Sequence, residues 1–323
     1  MIELNKIHNE DCLIGLSKIP NKSINLIVID PPYNIGKDYW DKIDNYIEWM
    51  GKVFKECERV LKNNGSFYWF HNDFIQIIQL YNWLNSNTNF KFKQFITLNK
   101  PKFKVYAWKN RSDKCIDRNW FPNVEYLLYY TFDESTGLDT ILKQDGFKVI
   151  QNYFKEEREK LGWNYKKCDD YLGIKASYCY WDKQTTHSYR IPDEKNYIKL
   201  QETGFFNKSY SEIEEIYNDI KDSYDNLKYT FNKCDNLSNV WEWNEGNCGK
   251  IHPTQKPLNI LEKIIKTSSN ESDIVLDCFM GSGSTAIACL NTDRNYIGFE
   301  LDENYYNKAQ ERIDTYLENK IYI

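Results

Sequence analysis

Asp30, Pro31, Pro32 and Tyr33 stand directly after the apolar run Ile24-Asn25-Leu26-Ile27-Val28-Ile29. A run rich in Ile and Val predicts a buried strand, and two prolines end it. Such a strand end presents a carboxylate, a prolyl carbonyl and an aromatic ring together at a sheet edge. Two hydrogen-bond acceptors beside a ring suit a flat heterocycle that carries an amino group. Taken alone, the same four residues also fit an ordinary proline turn.

A second signal lies far along the chain. Ile274-Val275-Leu276-Asp277-Cys278-Phe279-Met280-Gly281-Ser282-Gly283-Ser284-Thr285 predicts a buried strand, a glycine turn and a helix start. Gly281 and Gly283 are expected to let the backbone approach a ligand, with the amides of the following helix turned toward a carboxylate. The next strand, Tyr296-Ile297-Gly298-Phe299, ends in Glu300 and Leu301. An acid at that point can accept hydrogen bonds from ribose hydroxyls. The third glycine of the dinucleotide fingerprint and a Walker lysine are both missing, which argues against NAD and ATP. S-adenosylmethionine fits, since it has a ribose, an adenine and a methionyl carboxylate but no phosphate.

These motifs, with His252-Pro253-Thr254-Gln255-Lys256-Pro257 between them, resemble the amino-methyltransferases that modify exocyclic amines in DNA. The catalytic motif precedes the cofactor loop, as in the permuted β group, and the resemblance covers roughly residues 1–132 and 237–315. It implies an α/β fold: a Rossmann-like, S-adenosylmethionine-dependent methyltransferase sheet, mostly parallel with one antiparallel strand, carrying an inserted, mainly helical target-recognition domain. It implies that Asp30, Pro31, Pro32 and Tyr33 are catalytic, with Asp30 and the Pro31 carbonyl accepting the two N–H bonds of adenine N6 and Tyr33 stacking on a flipped-out base. By the same resemblance the cofactor meets Asp11, Cys12, Asp30, His252, Thr254, Lys256, Asp277 and Phe279, then Gly281 to Thr285 (Ser282, Gly283 and Ser284 included), Glu300 and Leu301. Lys256 would lie near the methionyl carboxylate and Asp277 would accept from the methionyl amine. Asp at the first motif position resembles the adenine enzymes, whereas cytosine-N4 enzymes more often carry Ser there. The glutamine methyltransferases resemble Asn-Pro-Pro-Tyr, from which Asp30 departs. A non-catalytic DNA-binding relic is the other alternative, opposed by the intact Asp30, Tyr33, Gly281 and Glu300.

A chain of 323 residues suffices for one α/β domain and a smaller inserted module. Nine cysteines without a C-x-x-C pair, a polar start and no long apolar stretch predict reduced thiols, a cytoplasmic protein, no zinc and no membrane span; the resemblance implies a bacterial or phage source. A net charge of −5 looks wrong for a protein that meets nucleic acid, but phosphate contact needs only a local positive field. The segment 91–118 supplies one: Lys91, Lys93, Lys100, Lys102, Lys104, Lys109, Arg111, Lys114 and Arg118, interleaved with rings such as Trp108. Lys100, Lys102, Lys104, Trp108, Lys109, Arg111 and Arg118 are the expected contacts to double-stranded DNA. A solvated loop is the plainer alternative.

Periodicity predicts a helix over 46–61 stopped by Asn64-Gly65, strands over 66–70, 95–98 and 124–130, a helix over 73–84 and a closing helix over 303–317. Such alternation implies a sheet covered on both faces, to which 1–132 and 237–323 both contribute. Between 133 and 236 the alternation fails, which marks the insert. Within it Gly173 separates two helix-like segments, as in a helix-turn-helix, with Tyr178, Tyr180 and Lys183 as candidate base readers. A helical hairpin packed for structure fits equally. Ser211 and Glu214 are spaced as a capping box for a helix whose acidic outer face suits a second subunit better than DNA. The expected partner is therefore double-stranded DNA, with a second copy of the chain suited to that acidic face; a cognate restriction endonuclease is a partner the resemblance allows and the residues do not decide.

Overall fold

The computed structural model describes residues 2–36, 41–100, 123–132, 147–175, 177–181, 189–227, 230–232, 238–243 and 255–321. They fall into two compact units, Met1–Glu134 with Tyr229–Ile323, and Ser135–Lys228. In chain order the first unit begins with β1 (Lys6–His8), α1 (Cys12–Ser17), β2 (Ile24–Ile29), α2 (Tyr46–Val60), β3 (Leu61–His71), α3 (Phe74–Asn87), β4 (Phe90–Asn99) and β5 (Val124–Phe132). The second unit holds α4 (Lys148–Lys160), α5 (Tyr165–Leu172), α6 (Tyr178–Trp181), α7 (Glu194–Gln201) and α8 (Tyr210–Leu227). The first unit then resumes with β6 (Val240–Glu242), α9 (Leu258–Ser268), β7 (Ile274–Asp277), α10 (Ser284–Asn291), β8 (Asn295–Phe299) and α11 (Glu303–Ile321).

The described strands form one sheet in the order β1-β8-β7-β2-β3-β5-β4-β6. Every neighbouring pair is parallel except those of β5, which runs against both β3 and β4. This is the mixed sheet the resemblance implied. The period of two sorts side chains between its faces. Ile27, Ile29, Phe67 and Trp69 join one core with residues of α1, α2 and α3. Leu26, Val28, Tyr68 and Phe70 join the other with residues of α9, α10 and α11. Strands covered on both sides read as continuous apolar runs, which is why β2 carries so little polarity.

Helix α2 buries Tyr46, Met50, Val53, Phe54, Cys57 and Val60 along one stripe. It ends at Val60, because Leu61 is already extended as the first residue of β3 and pairs with Ile24 of β2. The expected stop at Asn64-Gly65 thus lies inside a strand, where the β2–β3 register shifts between Ile24 and Leu26. Gly65 is needed there, since a Cβ would lie 2.8 Å from the Asn25 carbonyl oxygen. Helix α3 is capped by Asp73, whose carboxylate accepts from the Gln76 amide at 2.9 Å, and it extends three residues past the expected end to Asn87. Strand β4 starts at Phe90, so Lys91 and Lys93 sit exposed on a strand and not in a loop.

Among its described residues the second unit is helical, with a core of its own that includes Phe154, Cys168, Leu172, Tyr197 and Phe206. Gly173 takes a left-handed φ of 73° after α5, the turn glycine expected there. The first turn of α8 is held by Ser209, whose hydroxyl accepts from the Glu212 amide at 3.2 Å. The helix start therefore falls two residues before the Ser211–Glu214 spacing. No described helix is long and apolar enough to cross a membrane.

Candidate functional site

Strands β1, β8, β7 and β2 are adjacent and parallel. Their carboxyl ends therefore share one edge, and a crevice at such an edge is where open α/β sheets bind ligands. Asp11 lies three residues past β1, Asp30 directly follows β2, Asp277 ends β7 and Glu300 directly follows β8. All four line a single cavity of about 630 Å³. Asp30 through Tyr33 form part of its wall and Asp277 through Ser282 another, so motifs more than two hundred residues apart in sequence meet in one space.

Most of the expected cofactor residues line this cavity: Asp11, Cys12, Lys256, Phe279, Gly281, Ser282, Ser284, Thr285, Glu300 and Leu301, besides Asp30 and Asp277. Gly283 does not. It caps α10 with φ 74°, and a Cβ there would meet the Ala309 Cβ at 3.3 Å, so its lack of a side chain serves packing against α11 and not ligand approach. Gly281, at φ 54°, has no atom nearer than 3.9 Å to such a Cβ and faces open space. His252 and Thr254 lie outside the described residues.

Two carboxylates at the β7 and β8 ends are held in different ways. Burial pushes Asp277 up to about 7, against the Thr285 hydroxyl, which donates to Oδ2 at 2.6 Å, and the Phe279 amide, which donates to Oδ1 at 3.0 Å. Glu300 accepts from the Gly281 amide at 2.7 Å and the Asp302 amide at 2.9 Å, and burial raises its carboxyl above the usual range. Asp11 accepts from the Leu13 and Ile14 amides and so caps α1.

The proline motif is fixed from both sides. The Asp41 carboxylate accepts from the amides of Asn34 and Ile35 at 2.7 and 3.1 Å. The Tyr46 hydroxyl donates to the Pro32 carbonyl at 2.8 Å and lies 3.2 Å from His71 Nε2. His71 Nδ1 accepts from the Asp73 amide at 3.0 Å, which assigns the ring proton to Nε2 and makes it the donor to Tyr46. Burial holds His71 down at about 4, so the ring is neutral at physiological pH. Its ring centre lies 4.6 Å from that of Tyr33, with the two planes tilted by 32°.

Behind Asp30 is a cluster that the sequence reading missed. Lys256 Nζ lies 2.5 Å from Asp30 Oδ2 and 2.9 Å from Glu125 Oε1. The Tyr33 hydroxyl lies 2.7 Å from Asp30 Oδ1 and 2.6 Å from Glu125 Oε1. Lys100 pairs with the other oxygen of Glu125 and rests 4.6 Å from the centre of the Trp243 ring. Despite its burial, Glu125 is held down at about 2 by Lys256 and Lys100. Burial opposes the charge on Lys256, but Asp30 and Glu125 outweigh it and raise its pKa. Burial, with these two carboxylates, drives Tyr33 well above its ordinary value. The signal for Glu125 was its position, a lone acid at the head of the apolar strand Val124–Phe132.

Lys100, expected at the duplex, pairs through its ammonium with Glu125 while its side chain stays 32% exposed. Tyr180, expected as a base reader, is instead 6% exposed in the core of the second unit, whereas Tyr178 is 42% exposed. Lys102, Lys104, Trp108, Lys109, Arg111, Arg118 and Lys183 lie outside the described residues.

A model of the N6_N4_Mtase family, described as DNA methylase, matches residues 24–311. The Type II methyltransferase M1.MboII of Moraxella bovis is 29% identical to this chain, over 96% of each. The DNA adenine methyltransferase YhdJ of Escherichia coli (strain K12) is 27% identical, over 97% of this chain and 83% of its own length. Among solved structures, the M1.HpyAVI–SAM complex is similar with a TM-score of 0.50 and 21% identity, covering 95% of this chain and 98% of that one. The cytosine-N4-specific PvuII DNA methyltransferase has a TM-score of 0.55 at 14% identity, covering 96% and 86%. At these identities the two structures establish a likeness of fold.

Proposed function

Because this chain belongs to the DNA methylase family and is an S-adenosylmethionine-dependent DNA methyltransferase, we propose that it methylates the N6 amine of an adenine flipped out of double-stranded DNA. The observation that carries this reading is the one cavity walled by both the Asp30 motif and the Asp277 to Ser284 loop.

The residues fit the donor chemically. A buried Asp277 that titrates near 7 ionises readily beside a cationic amine, so it would hold the methionyl amino group. Glu300, fixed by two amides, keeps lone pairs for ribose hydroxyls. Gly281 leaves the space a side chain would fill. When bound, S-adenosylmethionine supplies an electrophilic methyl group on a sulfonium centre.

The exocyclic nitrogen of adenine is a weak nucleophile because its lone pair is delocalised into the ring. Asp30 and the Pro31 carbonyl would accept its two N–H bonds, localise that pair and stabilise the positive charge that grows on nitrogen. Tyr46 and Asp41 hold the backbone around these acceptors, so little reorganisation is needed. Tyr33 would stack on the base, a contact worth about 1–3 kcal/mol. A stacked, paired base cannot reach a site set within a cavity, which supports extrusion of the target nucleotide.

Adenine is favoured over cytosine by Asp30 and by the name of the Escherichia coli relative. The basic segment after Lys100 and the unit Ser135–Lys228, with exposed Tyr178, would contact the duplex and read its sequence. The Type II name of the Moraxella bovis relative extends the reading to a paired endonuclease in a bacterial cytoplasm, and the acidic face of α8 to a second copy of the chain. Incubation with plasmid DNA and labelled donor, followed by mass spectrometry of the hydrolysed nucleosides, tests the target. N6-methyladenine is expected; N4-methylcytosine in its place would overturn the adenine assignment.

A further inference from the structure

We propose that Lys256 is a positioning residue for methyl transfer: its ammonium, anchored by Glu125, keeps Asp30 a hydrogen-bond acceptor aimed into the cavity. The proposal rests on the reading of Asp30 as the acceptor for the target amine.

The geometry is that of a shared cation. Lys256 Nζ reaches one oxygen of Asp30 at 2.5 Å and one of Glu125 at 2.9 Å, while a single Tyr33 hydroxyl touches both carboxylates. The side chains of Lys256 and Glu125 are 6% and 4% exposed, that of Asp30 20%. Among the described residues the ammonium also lies 3.4 Å from the Tyr33 hydroxyl, with the ring centres of Phe70, Tyr33 and Trp243 at 5.0, 5.6 and 5.9 Å. Such a pocket gives Lys256 its carboxylate partners and little water. The resemblance implied a lysine at the cofactor carboxylate, but here the ammonium sits on Asp30.

Without that cation, the Asp30 and Glu125 carboxylates would be bridged by a neutral phenol at the cavity wall with their like charges uncompensated, an arrangement that favours protonation of one of them. Lys100 still pairs with Glu125, so the proton falls to Asp30. A protonated Asp30 turns one of its acceptor oxygens into a donor, and a donor cannot receive an amine N–H. Among the described residues the other groups around Asp30 do not replace Lys256. His71, whose ring lies against Tyr33, is neutral, and Asp277 and Asp41 are themselves acids.

The test is the pH dependence of kcat for full-length Lys256→Met, Lys256→Arg and the double variant Lys256→Met/Glu125→Gln at saturating donor. In Lys256→Met the acid limb is expected to move upward by at least about one pH unit. Lys256→Arg, which keeps a cation, should leave the limb near its wild-type position. The double variant, which removes the competing carboxylate charge, should return it there. A Lys256→Met limb that stays in place, with the loss appearing in KM for the donor, would overturn the proposal in favour of a cofactor contact. So would a double variant whose limb remains displaced. If Asp30→Ala itself retains transfer, the reading of Asp30 fails; if Asp30→Ala is inactive and the limb of Lys256→Met is unmoved, only the role of Lys256 fails.

Discussion

A buried carboxylate such as Asp277, held among the described residues by a hydroxyl and an amide, costs stability as long as it is charged. Its folded value of about 7 lies above the ordinary 3.8, so the protonated form is the favoured one in the fold. The stability it contributes is fully present below about pH 4 and is lost as pH rises to about 7. Asp277→Asn should therefore melt at higher temperature than the wild type in the absence of donor. The difference should grow across that window and level off above it. The same variant should bind the donor much more weakly, because a neutral amide cannot pair with the methionyl amine. Thermal melts at several pH values check the first point and equilibrium titration the second. A pH-independent difference in melting temperature would mean that Asp277 does not titrate in this window.

Elements decide which side chains reach the site. Strand β5 runs against its neighbours, with Tyr126 opposite His71, so its first residues arrive at the edge where the parallel strands end. That direction brings Glu125 beneath Asp30. Strand β6 lies parallel to β4, and the Trp243 amide just beyond it donates to the Asn99 carbonyl, so Trp243 reaches the same edge. The two glycines of the β7–α10 turn do different work, and one substitution separates them. Alanine at either must adopt a left-handed φ, at a cost of about 1–2 kcal/mol. Gly281→Ala and Gly283→Ala should both lower the melting temperature, but only Gly281→Ala should also weaken donor binding, since only Gly281 lines the cavity. Equal losses of affinity, measured by titration, would contradict that division. The motifs were legible because each sits where an apolar strand stops. Asp30 and Asp277 mark strand ends, and Glu300 follows one. The Glu125–Lys256 pair was not legible, since it joins residues 131 positions apart and depends on the antiparallel sense of β5. The pairing of Lys100 with Glu125 was not legible either, since a run of basic residues does not say which ammonium turns inward, and the strand expected over 95–98 begins earlier, at Phe90, and takes in Lys91 and Lys93.

At the scale of the molecule, the two segments of the first unit are joined where β2 pairs with β7, Leu26 against Val275 and Ile27 against Leu276. Neither segment completes the core alone, since Leu26, Val28 and Phe70 share a cluster with Ile264, Val275 and Ala309. The same join makes the cavity, with the acceptor motif from one segment and the donor loop from the other. The second unit has its own core and sits between the two segments in sequence, which leaves its surface free to change without altering the chemistry. The most direct test of this division of labour is Asp30→Ala, assayed in parallel for donor binding by equilibrium titration and for methyl transfer to DNA under single-turnover conditions. The account predicts a donor Kd changed by less than about threefold and transfer slowed by roughly 100-fold to 1000-fold or more, the scale of a lost charge-stabilising group. Transfer at near wild-type rate would contradict it.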